Sequence, residues 1–358
     1  MARAEFGVSV SQANLSISLA LIAFAVGLFC SGPLSDRVGR RPAVLIGLVL
    51  YVGGALLALF AHSMTTLILA RIVTALGASA GVTVARAVLG DLFDKHRMTH
   101  EIASLTLITT MVNAAAPILG GLLIQWFAWR AVFAALVISG GSIAALVFFS
   151  LPETRPAQRS RPNLRIFIAL RRVLRDRQFL QYVFQGGVIY AVFFVFIALV
   201  PHILYDLHRP PTDYGLWYPM ISIGYFFGNY FVTRRGARFG LERLIQWGVI
   251  GQAVAAIAGL IWMSLGFWGS FWIFLAPALM AIGQGLAMPA TTALGVARAP
   301  KDAGVAAGVL GFGQQAMGAL AVECMSFAST DSPIPMAVFC ASLAGFAALI
   351  ALKRPTQA

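Results

Sequence analysis

An all-α protein that crosses a membrane many times is the fold class this sequence predicts, on three observations. Of its 358 residues, 59 % are hydrophobic and only 11 % charged, and the mean hydropathy is +0.83, more apolar surface than a soluble fold can hide from water. The apolar residues come in repeated runs of about 20, the length that crosses a ~30 Å hydrocarbon core. Inside lipid every backbone polar group must be satisfied within its own segment, so such runs are helices.

Eleven runs follow in order: 12–31, 43–61, 65–90, 102–126, 130–151, 179–201, 213–233, 244–266, 269–297, 304–328 and 333–352. The first leads into GPLSDRVGRRP, which turns the chain through Gly32 and Gly39 before the second begins. The third carries Arg71 about seven residues inside it, a buried cation that needs a cavity or a partner. The fourth holds Pro117, Gly120 and Gly121, which thin a helix where another can approach. After the fifth, residues 152–178 form the longest polar stretch. It opens with prolines and ends as a basic amphipathic helix, with Ile166, Phe167, Leu170, Val173 and Leu174 opposite Arg171, Arg172 and Arg175, suited to an anionic leaflet. The seventh leaves through RRGARFGLER, the ninth is kinked at Pro289, and the tenth carries Glu323 about five residues from its outer end.

This order gives an N-terminal bundle over 1–151, a cytoplasmic basic linker over 152–178 and a C-terminal bundle over 179–358. Basic residues set the orientation. Arg37, Arg40, Arg41, Lys95, Arg97, the eight arginines between 155 and 177, Arg234, Arg235, Arg238, Arg243, Arg298, Lys301, Lys353 and Arg354 fall on one side, and Arg3, Arg130 and Arg209 on the other. Positively charged loops stay in the cytoplasm, which places the C-terminus inside and the written N-terminus outside. The net charge of +13 therefore belongs to span-flanking loops and does not imply nucleic-acid binding. Cys30, Cys324 and Cys340 lie in apolar runs without metal-ligand spacing. The pairings that intramembrane enzymes need, such as His-Glu-x-x-His or paired aspartates at membrane depth, are absent, so no enzyme, cofactor or metal is expected.

At an offset of 201, Gly27, Arg37 and Gly39 coincide with Gly228, Arg238 and Gly240. Two parallel repeats facing each other describe a secondary transporter with a central site opened alternately to each side. Its cavity candidates are sparse amides and rings: Asn113, Tyr190, Phe194, Tyr225, Gln284, Gln314 and Gln315. They suit lipophilic, neutral or weakly basic solutes better than sugars or phosphates. Each aromatic alone also fits a packing or lipid-facing role.

GPLSDRVGRRP resembles the signature loop between the second and third helices of the major facilitator superfamily, matching at Gly32, Asp36, Arg37, Gly39, Arg40 and Arg41. LILARIVTALGASAG resembles the fourth-helix motif through Arg71, Gly77 and Gly81, with Thr74 where many members have glutamine. NAAAPILGG resembles the fifth-helix antiporter motif at Pro117, Gly120 and Gly121. ARAVLGDLF and WFAWRAVF resemble the bicyclomycin and chloramphenicol resistance (Bcr/CflA) group of drug:proton antiporters.

The resemblance implies two pseudo-symmetric bundles of twelve spans. The start, MARAEFGVSVSQANLS, resembles the external loop after the family's first helix, so the first span is expected to be missing, through a start site placed downstream or a natural truncation. It further implies a monomer that exports small amphiphilic compounds against protons. The alternatives are export of an amino-acid or sugar derivative, or a transport-impaired form. Asp36 would latch the bundles by meeting the helix N-terminus at Ala303 or Gly304, with Arg86 as partner; the plainer reading makes the loop only a positive anchor. Arg71 and Glu323 are the candidates for the proton or substrate path, against a polar clamp for Arg71 and snorkelling for Glu323.

Overall fold

The computed structural model describes residues 5–92, 95–154, 165–299, 302–329 and 331–352, and among them there is no strand. In chain order the helices are α1 (Val10–Val38), α2 (Arg40–Leu59), α3 (Met64–Leu92), α4 (Lys95–Phe127), α5 (Arg130–Ser150), α6 (Arg165–Arg175), α7 (Arg177–Asp206), α8 (Pro211–Trp217), α9 (Pro219–Phe239), α10 (Leu241–Ser264), α11 (Ser270–Ala297), α12 (Ala303–Cys324) and α13 (Ile334–Leu352). Nine helices among the described residues are long and apolar enough to cross a membrane, where eleven spans were expected. The fourth and seventh expected spans are not among these nine. In α4 the described side chains give an apolar stretch over Met111–Phe127, after an opening that carries KHRMTHE. The seventh expected span is divided at Tyr218 between α8 and α9, and α9 ends with Arg234, Arg235 and Arg238.

The chain forms two compact units, one of residues 1–112 and 126–166, the other of 113–125 and 167–358. In the first unit α3 packs against both α1 and α2, and α5 packs against α2. Small residues permit this closeness. A Cβ on Gly77 would meet the backbone of Gly47 and Tyr51, and one on Gly27 would meet Ser79. The outer faces stay apolar and open, as on α5 with Ile138 and Phe149, which is the pattern of helices solvated by lipid.

In the second unit α11 packs against α10, α9, α7 and α12, while α13 packs on α10 and α7. Its crossing with α10 is a glycine pair, Gly248 against Gly283. Helix α7 is largely buried, and its Gly187 and the Gly313 and Gly318 of α12 receive Met317, Val183 and Phe194 in turn. The linker helix α6 does not offer its apolar face to lipid alone. Val173 is buried in the core with Phe179, Leu244 and Leu310, and Leu170 packs alongside. Arg172 pairs with Asp302 at 2.8 Å. The Ile166 and Phe167 side chains lie outside the described residues.

The duplication is visible in the backbone. Shifting Val10–Val38 by 201 residues gives 211–239, the extent of α8 and α9 together. Each repeat then breaks at one glycine, Gly39 at φ 106° and Gly240 at φ 81°, a region that side-chain-bearing residues avoid. Five extra residues before α11 make the later shift 206, which carries Gly77 onto Gly283.

Candidate functional site

Helix α1 starts with a capping box: Ser9 Oγ accepts from the Gln12 amide and Gln12 Oε1 accepts from the Ser9 amide. It then runs helically through Gly32, Pro33 and Asp36 to Val38. Gly32 is therefore not a turn, contrary to the sequence expectation, and the whole reversal falls on Gly39. The reason is the set of contacts that closes the helix end. The Gly39 amide donates to the Ser35 carbonyl at 3.1 Å, and Arg40 reaches back to the same turn. Its Nη1 donates to Ser35 Oγ at 2.7 Å and to Asp36 Oδ1 at 2.6 Å, while its Nε donates to Asp91 Oδ2 at 2.8 Å.

This arginine is 3 % exposed, and the side chain of Asp91 is 6 % exposed, against 58 % for Asp36. Arg40 is thus a buried cation shared between a fixed carboxylate on α3 and an exposed one on α1. Glu153 closes the other side. Its two carboxylate oxygens accept from the backbone amides of Arg40 at 2.8 Å and Arg41 at 3.2 Å, so a side chain 113 residues away serves as the N-cap of α2 and meets the positive end of its dipole. Arg41 Nη2 donates to the Phe148 carbonyl at 2.5 Å, and its guanidinium lies 5.4 Å from that ring centre.

The sequence singled out Asp36, Arg40 and Arg41 but gave no role to Ser35, Asp91 or Glu153. The signal was present, since acids directly after the third and fifth expected spans, in GDLF and LPETR, face a loop with four basic or acidic groups in six residues. Arg37 has a partner of its own. The Arg86 side chain lies outside the described residues.

Arg71, on α3, donates to Ser16 Oγ at 3.4 Å, and among the described residues no carboxylate pairs with it. Ser16, Ser18 and Asn14 are buried on α1, and both amide atoms of the fully buried Asn14 lack a hydrogen-bond partner. Among these three, only Ser16 is placed against this half-buried cation; Asn14 and Ser18, two residues to either side of it, lie on another face of α1. Glu323 is not deep inside a span, because α12 ends at Cys324, four residues before the expected boundary.

In the second unit, Pro117 and Gly121 sit against α8. A Cβ on Gly215 would stand 2.8 Å from the Pro117 carbonyl, and one on Gly121 3.4 Å from the Pro211 carbonyl. Gly120 faces open space, and Asn113 is exposed. Of the cavity candidates, Tyr190 and Phe194 pack edge to face at 5.0 Å, with Gly318 beneath Phe194. Gln314 approaches Gly186, and the Oε1 of buried Gln315 and both amide atoms of buried Gln185 are unpaired. Tyr225 is half-buried beside Gly285.

Gln284 lines a cavity of about 30 Å³ with Gln252, Phe193 and Phe196, room for one or two waters rather than a drug. Gln252 also donates to the Ile189 carbonyl at 3.3 Å, tying α10 to α7. The candidates therefore fall into separate small groups along α7, α11 and α12, with Tyr225 on α9 and Asn113 on α4 apart from them, and sequence reasoning missed Gln185 and Gln252.

A family model described as "Major Facilitator Superfamily" matches residues 1–322. Among similar proteins is the "Bicyclomycin resistance protein homolog" of Haemophilus influenzae, 26 % identical over 347 residues, covering 93 % of this chain and 84 % of that one. "Multidrug resistance protein D" of Escherichia coli is 26 % identical, covering 81 % of this chain and 73 % of its own. Of solved structures, a D-xylose-proton symporter aligns with TM-score 0.74 at 17 % identity, covering 97 % of this chain and 89 % of that one. A POT family transporter in complex with 5-aminolevulinic acid aligns with TM-score 0.77 at 13 % identity, over 97 % and 87 % of the two chains. At these identities the structural likenesses speak for the fold.

Proposed function

This chain belongs to the major facilitator superfamily, a family of membrane transporters, and on that premise we propose that it is a bacterial inner-membrane exporter of small amphiphilic compounds that exchanges them for protons by alternating access. The observation that carries the reading is the similarity to two proteins named for drug resistance, along more than four-fifths of the chain. In this reading α4 and the α8–α9 pair are crossing elements, giving eleven spans, with the C-terminus in the cytoplasm and one chain as the working unit. The proton gradient is the sole energy source. The amides and rings along α7, α11 and α12 form the substrate surface, and Arg71 with Glu323 the proton or substrate path.

Asp36 is the moving part of the latch. Its exposure leaves it able to change partners, while Asp91 holds Arg40 in place whichever way Asp36 points. The test is accumulation of a panel of lipophilic cations and neutral drugs in an efflux-deficient host, with and without a protonophore. Expression should lower accumulation, the protonophore should restore it, and Asp36→Asn should reduce efflux at least tenfold with membrane insertion intact. Efflux indifferent to the protonophore removes the coupling; unchanged efflux by Asp36→Asn removes the latch.

A further inference from the structure

Helices α9 and α10 both pack firmly on α11 and only slightly on each other, which leaves a groove between them floored by Ile282 and Leu286 of α11. The groove is open and holds about 880 Å³, within the range of sites for drug-sized ligands. Its walls are rings: Phe227, 59 % exposed, Tyr230, 50 % exposed, and Trp247, 42 % exposed. At one end stand Arg234 and Arg235, both exposed. The Arg234 guanidinium lies over the Tyr230 ring at 5.5 Å. Among the described residues neither arginine forms an ion pair, whereas Arg298 and Arg172 of the same unit are matched to Asp176 and Asp302.

A site with an uncompensated double cation at one end and an apolar trough behind it is complementary to a molecule with the reverse polarity, an anionic head on hydrocarbon tails. The two arginines end a helix whose apolar body faces lipid, so they stand at headgroup depth. The corresponding positions of the first repeat, 33 and 34, are Pro33 and Leu34, so the double cation is not a by-product of the shared fold.

We propose that the α9–α10 groove is a binding site for an anionic phospholipid, with Arg234 and Arg235 on the phosphate and the acyl chains along Phe227, Ile282 and Leu286. The experiment uses the full chain in nanodiscs of phosphatidylcholine with increasing phosphatidylglycerol brominated on its acyl chains, reading tryptophan quenching, with Trp247→Phe to isolate the groove signal. Wild type should be quenched at lower mole fractions of brominated phosphatidylglycerol than of brominated phosphatidylcholine, and Trp247→Phe should lose that early component.

Since each cation near an anionic headgroup contributes about fivefold in affinity, Arg234→Gln with Arg235→Gln should weaken the preference about 25-fold. Arg235→Lys should retain most of it, and serves if the double variant does not fold. Arg209→Gln, which removes an exposed arginine away from the groove, should change nothing. Equal quenching by the two lipids in wild type, full preference in the double variant, or an equal loss with Arg209→Gln overturns the proposal, the last because it would make the effect one of diffuse surface charge.

Discussion

The two glycine breaks, at Gly39 and Gly240, share a backbone and differ in what holds them. At Gly39 the flanking side chains are ionic: Arg40 gathers Ser35, Asp36 and Asp91, and Glu153 caps the helix that follows. At Gly240 the corresponding positions, 236, 237 and 241, are Gly236, Ala237 and Leu241, and position 297 stands for Asp91 with an alanine. The second break is held by rings instead. Phe239 stacks on Phe231 at 6.0 Å and meets Trp247 edge to face at 5.1 Å, with Arg238 above it. The same fold thus tolerates either chemistry. Apolar packing loosens gradually, whereas a buried charge whose partner leaves carries a large penalty, so the ionic version resists partial opening and is the better element for a two-state device.

The contrast is broken most severely at Arg40. Replacing it with the residue of the second repeat, Arg40→Leu, leaves Asp91 buried without its cation and should destabilise the first unit by about 3 to 5 kcal/mol. Arg40→Lys keeps the charge but cannot fork between Asp91 and Asp36, and should fall in between. Thermal unfolding of the detergent-solubilised chain checks this; a loss in Arg40→Leu no larger than in Arg40→Lys would mean that the charge itself contributes little.

Next in size are the glycines. Gly39→Ala and Gly240→Ala each force a side chain into a glycine region of the backbone, at about 1 to 3 kcal/mol. They should nevertheless differ. A Cβ at residue 39 would stand 2.5 Å from Glu153 Oε2 and displace the cap, while at 240 nothing lies within 4 Å. Gly39→Ala should therefore lower the unfolding midpoint more and also impair efflux, and equal midpoints would show that Glu153 yields without cost.

The two kinds of information differ in how well the sequence displayed them. The repeat was legible because glycine and arginine recur at a fixed offset, and the membrane character because hydropathy is additive along the chain. The Arg40 cluster was half legible. Asp36, Arg40 and Arg41 are neighbours in sequence, but Asp91 and Glu153 reach them across 51 and 112 or more residues, a distance no local pattern spans. Helical continuation through Gly32 and Pro33 was hidden for a similar reason, since the groups that reach back to that turn come from Arg40, beyond the break. The division of the seventh span at Tyr218 and the early end of α12, which leaves Glu323 at a helix end, were not legible, because apolar composition records where a chain can be buried and not where its helix stops.

The smallest effect tests an anion of the second unit that imitates the first unit's caps. Asp176 accepts from the amides of Gln178 at 2.9 Å and Phe179 at 3.2 Å, and pairs with Arg298 at 3.0 Å. Partial burial pushes its carboxyl upward, but the Phe179 amide, the Arg298 guanidinium and the Gln178 amide outweigh this and hold it below the usual 3.8. A depressed carboxyl contributes its stability in full above the unfolded value and loses it as the pH falls through the folded one. Asp176→Ala should cost about 1 kcal/mol at pH 7, typical of a lost N-cap, and Asp176→Asn less, because an amide still caps. The gap between wild type and the Asn variant should stay constant from pH 7 to 5 and close below the usual carboxyl value. A gap that instead persists at low pH would assign the role of Asp176 to shape rather than charge, and would leave the ionic fastening a property of the first repeat.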